Sequence, residues 1–133
     1  MKPDCNWHDE AKTIIVARPH PNSTWDDAYT GADEISLLIK SVPHNVYVIM
    51  DLTLSSTLPQ GVAFPNLQRL INKRLPNQQL TIFVGIGFLM QKFMDMARSM
   101  FGLTNIFNTY RFVNTMDEAL LTIENHKQKQ QAV

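Results

Sequence analysis

The sequence predicts an α/β fold: a mixed, mostly parallel sheet with helices packed against it and an antiparallel edge at its N-terminal end. Three observations carry that prediction. The stretch Val46-Tyr-Val-Ile-Met-Asp51 is an unbroken run of β-branched, aromatic and long apolar residues, which suits a strand covered on both faces. Leu80-Thr-Ile-Phe-Val-Gly85 reads the same way. Between and after these runs lie segments whose apolar residues recur at helical spacing, and strands alternating with helices imply parallel pairing through right-handed crossovers.

Taken in order, Lys12 to Arg18 reads as a strand, and Asn6-Trp7-His8 can pair back onto it across Asp9-Glu10-Ala11 as a hairpin. Pro19, Pro21 and Asn22 break the chain. Ser23 or Thr24 then caps a helix whose first turn carries Asp26 and Asp27, near the positive end of its dipole. Trp25, Ala28, Ala32, Ile35, Ile39 and Val42 give that helix one apolar face, and Gly31 weakens it. Pro43-His44-Asn45 turns the chain into the central strand, which stops at Asp51; a polar segment follows to Phe64.

Pro65 suits the first position of a helix, because its missing amide would be unpaired there anyway. Leu67, Leu70, Ile71 and Leu75 form the buried face of that helix. Pro76 to Gln79 turns into the strand Leu80 to Gly85. A helix over Phe88 to Phe101 carries Met90, Met94, Met100 and Phe101 among apolar residues that exceed one face, which leaves surface for something other than the core. After Gly102, a short strand over Tyr110 to Val113 leads to Thr115-Met-Asp-Glu118, a capping box in which each side chain satisfies an orphan amide. Met116, Ala119, Leu120 and Ile123 are the stripe of the last helix, and Lys127 to Val133 reads as a frayed polar tail.

At 133 residues the chain is expected to form a single domain, with its core over about 5–126. Lysine plus arginine equals aspartate plus glutamate at 12 each, so no basic stripe argues for nucleic acid. Zero formal charge with 44% hydrophobic residues weakens self-repulsion and predicts a homodimer. Cys5 is the one cysteine, which excludes an intramolecular disulfide or thiolate metal cluster and fits a reducing cytoplasm. No signal-like segment opens the chain, and no apolar run approaches the roughly 18 residues of a membrane span. His8, His20, His44 and His126 fall on different elements with no pair at ligand spacing, so neither a metal nor a cofactor is expected.

The candidate sites lie where parallel strands deliver their carboxyl ends, the rim at which open α/β sheets bind ligands. Asp51 there can bind a ligand hydroxyl or cation, or cap the following turn. Thr53, Ser55, Ser56 and Thr57 offer hydroxyls to a ligand or a kinase, or form an ordinary polar loop. Gly85, Gly87 and Phe88 mark the step from strand to helix, where helix amides can hold an anion. Met90 stands where the dinucleotide fingerprint needs its third glycine, so close packing of a helix on the sheet is the other reading of these glycines. The Met-rich helix can supply core, a dimer face through Met90, Met94, Met100 and Phe101, or the wall of an apolar-ligand cavity.

The central strand with its terminal acid, the strand Ile82-Phe-Val-Gly-Ile-Gly87 and the ending Arg111-Phe-Val-Asn-Thr-Met-Asp-Glu-Ala-Leu120 together resemble the STAS domain, the fold of bacterial anti-sigma-factor antagonists. The resemblance spans roughly residues 5–126. It implies a non-enzymatic regulatory or small-ligand-binding domain. In the family's phosphoswitch members, a serine in a pattern like aspartate-serine-serine-glycine is phosphorylated where the helix after the central strand begins. Here Ser55 and Ser56 fall early in a longer loop, and Phe64-Pro65 opens the helix instead.

The expectation is therefore a cytoplasmic, STAS-like regulatory or ligand-binding domain taking a protein partner or a small apolar or anionic ligand at the rim. The alternatives are an assembly module that dimerises through residues 88–101, and a small hydrolase or transferase using Asp51 with the rim hydroxyls.

Overall fold

The computed structural model describes residues 1–54, 66, 69, 70, 75–85 and 109–131. The described strands are β1 (Asp4–Trp7), β2 (Ile14–Arg18), β3 (Val46–Asp51), β4 (Gln78–Val84) and β5 (Tyr110–Val113), joined in one sheet in the order β1-β2-β3-β4-β5. β1 runs antiparallel to β2, and each later pair is parallel. Among the described residues two helices pack against this sheet: α1 (Trp25–Lys40) and α2 (Met116–Gln131). The mixed α/β fold class read from the sequence is thus the one the chain adopts, with β3 at the centre.

Each face of the sheet has its own core, as the unalternating strands require. On one face Ile14, Val16, Tyr47, Ile49, Leu80, Ile82 and Val84 bury against Ala119 and Ile123 of α2. On the other, Ile15, Val46 and Val48 bury against Ile39 of α1, with Ile35, Leu38 and Trp7 alongside. Among the described residues no helix is long and apolar enough to cross a membrane.

β2 begins two residues later than the hydrophobic pattern suggests, and β1 ends one residue earlier, at Trp7. Lys12 takes a left-handed conformation, φ 57°, and Asp9 Oδ1 accepts from the amides of Thr13 at 2.9 Å and Ile14 at 3.1 Å. Lys12 and Thr13 are therefore turn, and β2 begins at Ile14. β1 holds Cys5 against α1, and burial pushes its thiol up to about 11.

Thr24 is the cap of α1 and forms a reciprocal box: Asp27 N–H donates to Thr24 Oγ1 at 3.1 Å, and Thr24 N–H to Asp27 Oδ2 at 2.9 Å. Gly31 costs helix propensity, yet a Cβ built there would stand 2.7 Å from Pro3 Cγ. The missing side chain is what lets the N-terminal segment seat on the helix.

β4 starts two residues before Leu80, because Gln78 pairs with Val46 across a register shift in β3. The α2 cap differs in one detail from the expected box: Glu118 N–H donates to Thr115 Oγ1 at 3.2 Å, while the Glu118 carboxylate accepts from Asn114 N–H at 3.1 Å, one residue upstream of the cap.

Of the segment read as a frayed polar tail, Lys127 to Gln131 belong to α2, and Ala132 and Val133 lie outside the described residues. Lys127 Nζ reaches Thr13 Oγ1 at 3.4 Å and lies 5.7 Å over the Tyr47 ring, and Gln130 Nε2 donates to Gln79 Oε1 at 2.9 Å. Polar composition hid an anchored turn, since a lysine can lay its methylenes on an aromatic face while keeping its charge in water.

Candidate functional site

Parallel pairing places Ala17 beside Met50 and Met50 beside Phe83, so the next residues along, Arg18, Asp51 and Val84, end three adjacent strands at one rim. Of the residues nominated from sequence, Asp51, Thr53 and Gly85 come together there. Ser55, Ser56, Thr57, Gly87 and Phe88 lie outside the described residues, as do the interface candidates Met90, Met94, Met100 and Phe101.

Asp51 is buried, and its carboxylate oxygens have separate tasks. Oδ1 accepts from the Thr53 amide at 3.1 Å and the Thr53 hydroxyl at 2.7 Å. Oδ2 accepts from Arg18 Nε at 3.0 Å. Burial alone would raise the carboxyl pKa, but the hydrogen bonds from Thr53 and the adjacent Arg18 guanidinium outweigh it and hold Asp51 below the usual carboxylate range. Asp51 is therefore a charged, doubly tethered carboxylate at the start of a tight turn. Oδ1 realises the turn-capping reading drawn from sequence, while Oδ2 has a partner, on the neighbouring strand, that neither reading named.

Gly85 closes the rim beside it. Its φ is +75°, a conformation in which a Cβ is strained, and a Cβ there would stand 2.9 Å from Thr53 Cγ2. Leu52 N–H donates to Val84 O at 2.9 Å and Gly85 N–H to Val113 O at 3.0 Å. The exits of β3, β4 and β5 are thereby laced together by backbone bonds, which makes the rim a firm edge. What abuts Gly85 is Thr53 at the exit of the adjacent strand, a contact that neither sequence reading of this glycine named.

Arg18 escaped the sequence reading. The signal was present: it ends β2 just as Asp51 ends β3, and parallel alignment of the two runs at their polar ends puts them side by side. Its side chain is 44% exposed and that of Asp51 8%, so the carboxylate lies beneath the guanidinium. Strand order runs from β1 to β5 without reversing, so this rim lacks the split that opens a ligand crevice in doubly wound sheets.

The opposite rim holds a different cluster, also unread from sequence. The Tyr47 hydroxyl stands 2.7 Å from His126 Nδ1, with the rings edge to face at 5.5 Å. An open depression of about 360 Å³ beside it is lined by Thr13, His44, Asn45, Tyr47, Lys127 and Gln130. Most of its polar groups are already engaged: Thr13 with Asp9, Tyr47 with His126, Gln130 with Gln79, and His44 Nε2 with Lys12 O at 2.9 Å. The Tyr47–His126 and Gln130–Gln79 bonds pin the end of α2 to the sheet. Among the described residues no group of His, Cys, Asp and Glu could hold a metal ion.

Comparison with family models, curated proteins and solved structures gives no match to this chain. What defines the protein is thus its own architecture, a mixed α/β sheet covered on both faces, and its own rim.

Proposed function

We propose that this chain is a non-enzymatic, STAS-like regulatory or small-ligand-binding domain that engages its partner or ligand at the carboxyl rim formed by Arg18, Asp51, Thr53 and Gly85. The observation that carries the reading is the Arg18–Asp51 pair, in which a buried, tethered carboxylate holds an exposed guanidinium at the ends of parallel strands. The hairpin followed by consecutive parallel strands, with helices on both faces, supports the STAS-like part of the proposal.

The same pair speaks against the hydrolase alternative. A general base needs a pKa near the working pH and an unoccupied lone pair aimed at substrate. Asp51 has a depressed pKa and both oxygens engaged, so it suits holding a neighbour better than taking a proton. Dimerisation through residues 88–101 concerns a segment outside the described residues, and no described feature favours it.

The test is an unbiased one. Native mass spectrometry of freshly purified, untagged protein identifies retained molecules or partners, and amide chemical shifts then map where each binds. Shifts at Leu52–Leu54 and Gly85 are expected. A partner or ligand that leaves those amides unmoved and perturbs the outer face of α1 or α2 would refute the rim.

A further inference from the structure

We infer that the rim receives an anion presenting paired oxygens, a carboxylate or phosphate group, and that Arg18 is the residue that holds it. This rests on the reading of the carboxyl rim as the binding edge and names the chemistry that edge would select.

Guanidinium donors lie in a rigid plane, and a fork of two N–H groups matches two oxygens of a carboxylate or phosphate. Arg18 commits Nε to Asp51 Oδ2. Among the described residues, Nη1 and Nη2 donate to no acceptor. Nε is turned toward the buried Asp51, and the Arg18 side chain as a whole remains 44% accessible.

Pre-orientation separates this arginine from an ordinary solvated one. A long side chain loses rotamer freedom when it binds, which weakens the complex unless that freedom is already gone. Here the tether is itself tethered: Thr53 fixes Oδ1 of Asp51 through its amide and hydroxyl, so Oδ2 is held at one place and Arg18 with it. Gly85 backs Thr53 at van der Waals range, which resists movement of the turn.

Among the described residues, the charge around Arg18 leaves room for an anion. Asp51 neutralises it on one side only. Asp4 stands opposite Arg18 in the β1–β2 register, but its carboxylate is turned toward His20, with Oδ2 3.3 Å from Nε2. Thr53, Leu54 and Gly85 add no charge. Arg18 at the strand end fits a group carried at the end of a larger molecule as well as a small free anion.

The experiment titrates inorganic phosphate and, separately, acetate into the full-length ¹⁵N-labelled protein at constant ionic strength set with chloride, following the Arg18 Nε–Hε signal and the backbone amides. Saturable shifts of Arg18, Thr53 and Leu54 are expected with at least one anion, and the tighter of the two identifies the class. Arg18→Lys keeps the charge and loses the fork, and should weaken binding about tenfold. Asp51→Asn removes a negative charge yet should also weaken binding, because the guanidinium loses its tether. No saturable shift, equal affinity for Arg18→Lys, or tighter binding by a folded Asp51→Asn variant would each overturn the inference; should Asp51→Asn not fold, Arg18→Lys decides it alone. If phosphate and acetate are inert while a molecule of another class moves the rim amides, this inference fails and the rim reading stands. Anion shifts confined to the amides around Lys127 would defeat both.

Discussion

The hydroxyl of Tyr47, on the central strand, stands 2.7 Å from Nδ1 of His126 on the last helix, and this contact joins the core to the end of the chain. His126 is held below its ordinary pKa of 6.5, first by burial and then by the charges of Arg111 and Lys129. The sign follows from linkage. As pH falls below 6.5 the unfolded chain takes up a proton that the folded chain resists, so the contribution of this histidine is complete above that pH and declines until pH passes its lowered folded value. Unfolding free energy measured by urea titration should therefore fall with acidification in this window, before the carboxylates respond. In His126→Gln that part of the decline should be absent.

The acidic limb has a different origin. Asp9 and Asp51 are both held below their ordinary 3.8, in each case because hydrogen bonds outweigh burial. Their contributions are present above that pH and lost as pH falls through the depressed values. An Asp9→Asn variant should unfold with a shallower acid limb, read by circular dichroism against pH.

Removing only the Tyr47 hydroxyl separates hydrogen bonding from packing. Tyr47→Phe keeps the edge-to-face ring contact and leaves His126 Nδ1 without its partner, at an expected cost of about 0.5–1.5 kcal/mol. The denaturation midpoint should drop with the slope unchanged. An unchanged midpoint would mean that water replaces the bond at no cost.

Ending the chain at His126 tests whether the last turns of α2 are anchored. Loss of the Lys127 and Gln130 contacts should lower stability by about 1 kcal/mol, which for a domain of this size is roughly 2–8 °C in Tm. A tail that only frays would leave Tm where it is.

Gly85→Ala should destabilise by about 1–2 kcal/mol through its left-handed backbone, and by more because of the 2.9 Å approach to Thr53 Cγ2. Thr53→Ser deletes that methyl and keeps the hydroxyl that Asp51 accepts from. In a double-mutant cycle the glycine substitution should cost less on the serine background. Additive costs would place the whole effect in the backbone.

Local chemistry made much of the fold legible. Val46–Asp51 has no polar alternation, and a strand without it needs cover on both faces; α1 and α2 supply that cover. Thr24 and Thr115 could be read as caps because a cap is satisfied within one helical turn. Gly85 was legible as a special position but its neighbour was not, because the approach of Thr53 depends on the register of β3 against β4. The turn at Lys12 was not, because it depends on Asp9 reaching two amides whose positions the hairpin itself creates.

What the sequence determined by itself is therefore what neighbours in the chain can settle: strand and helix identity, capping, and the polar stop at Asp51 that marks the rim. Tertiary structure decided the partners. Arg18 and Asp51 are 33 residues apart, Tyr47 and His126 79, and only parallel register and the return of α2 across the sheet bring either pair within hydrogen-bond reach. Side-chain charge and polarity are written in the sequence, but whether a carboxylate acts as base, cap or tether depends on which distant donor the fold sets against its second oxygen.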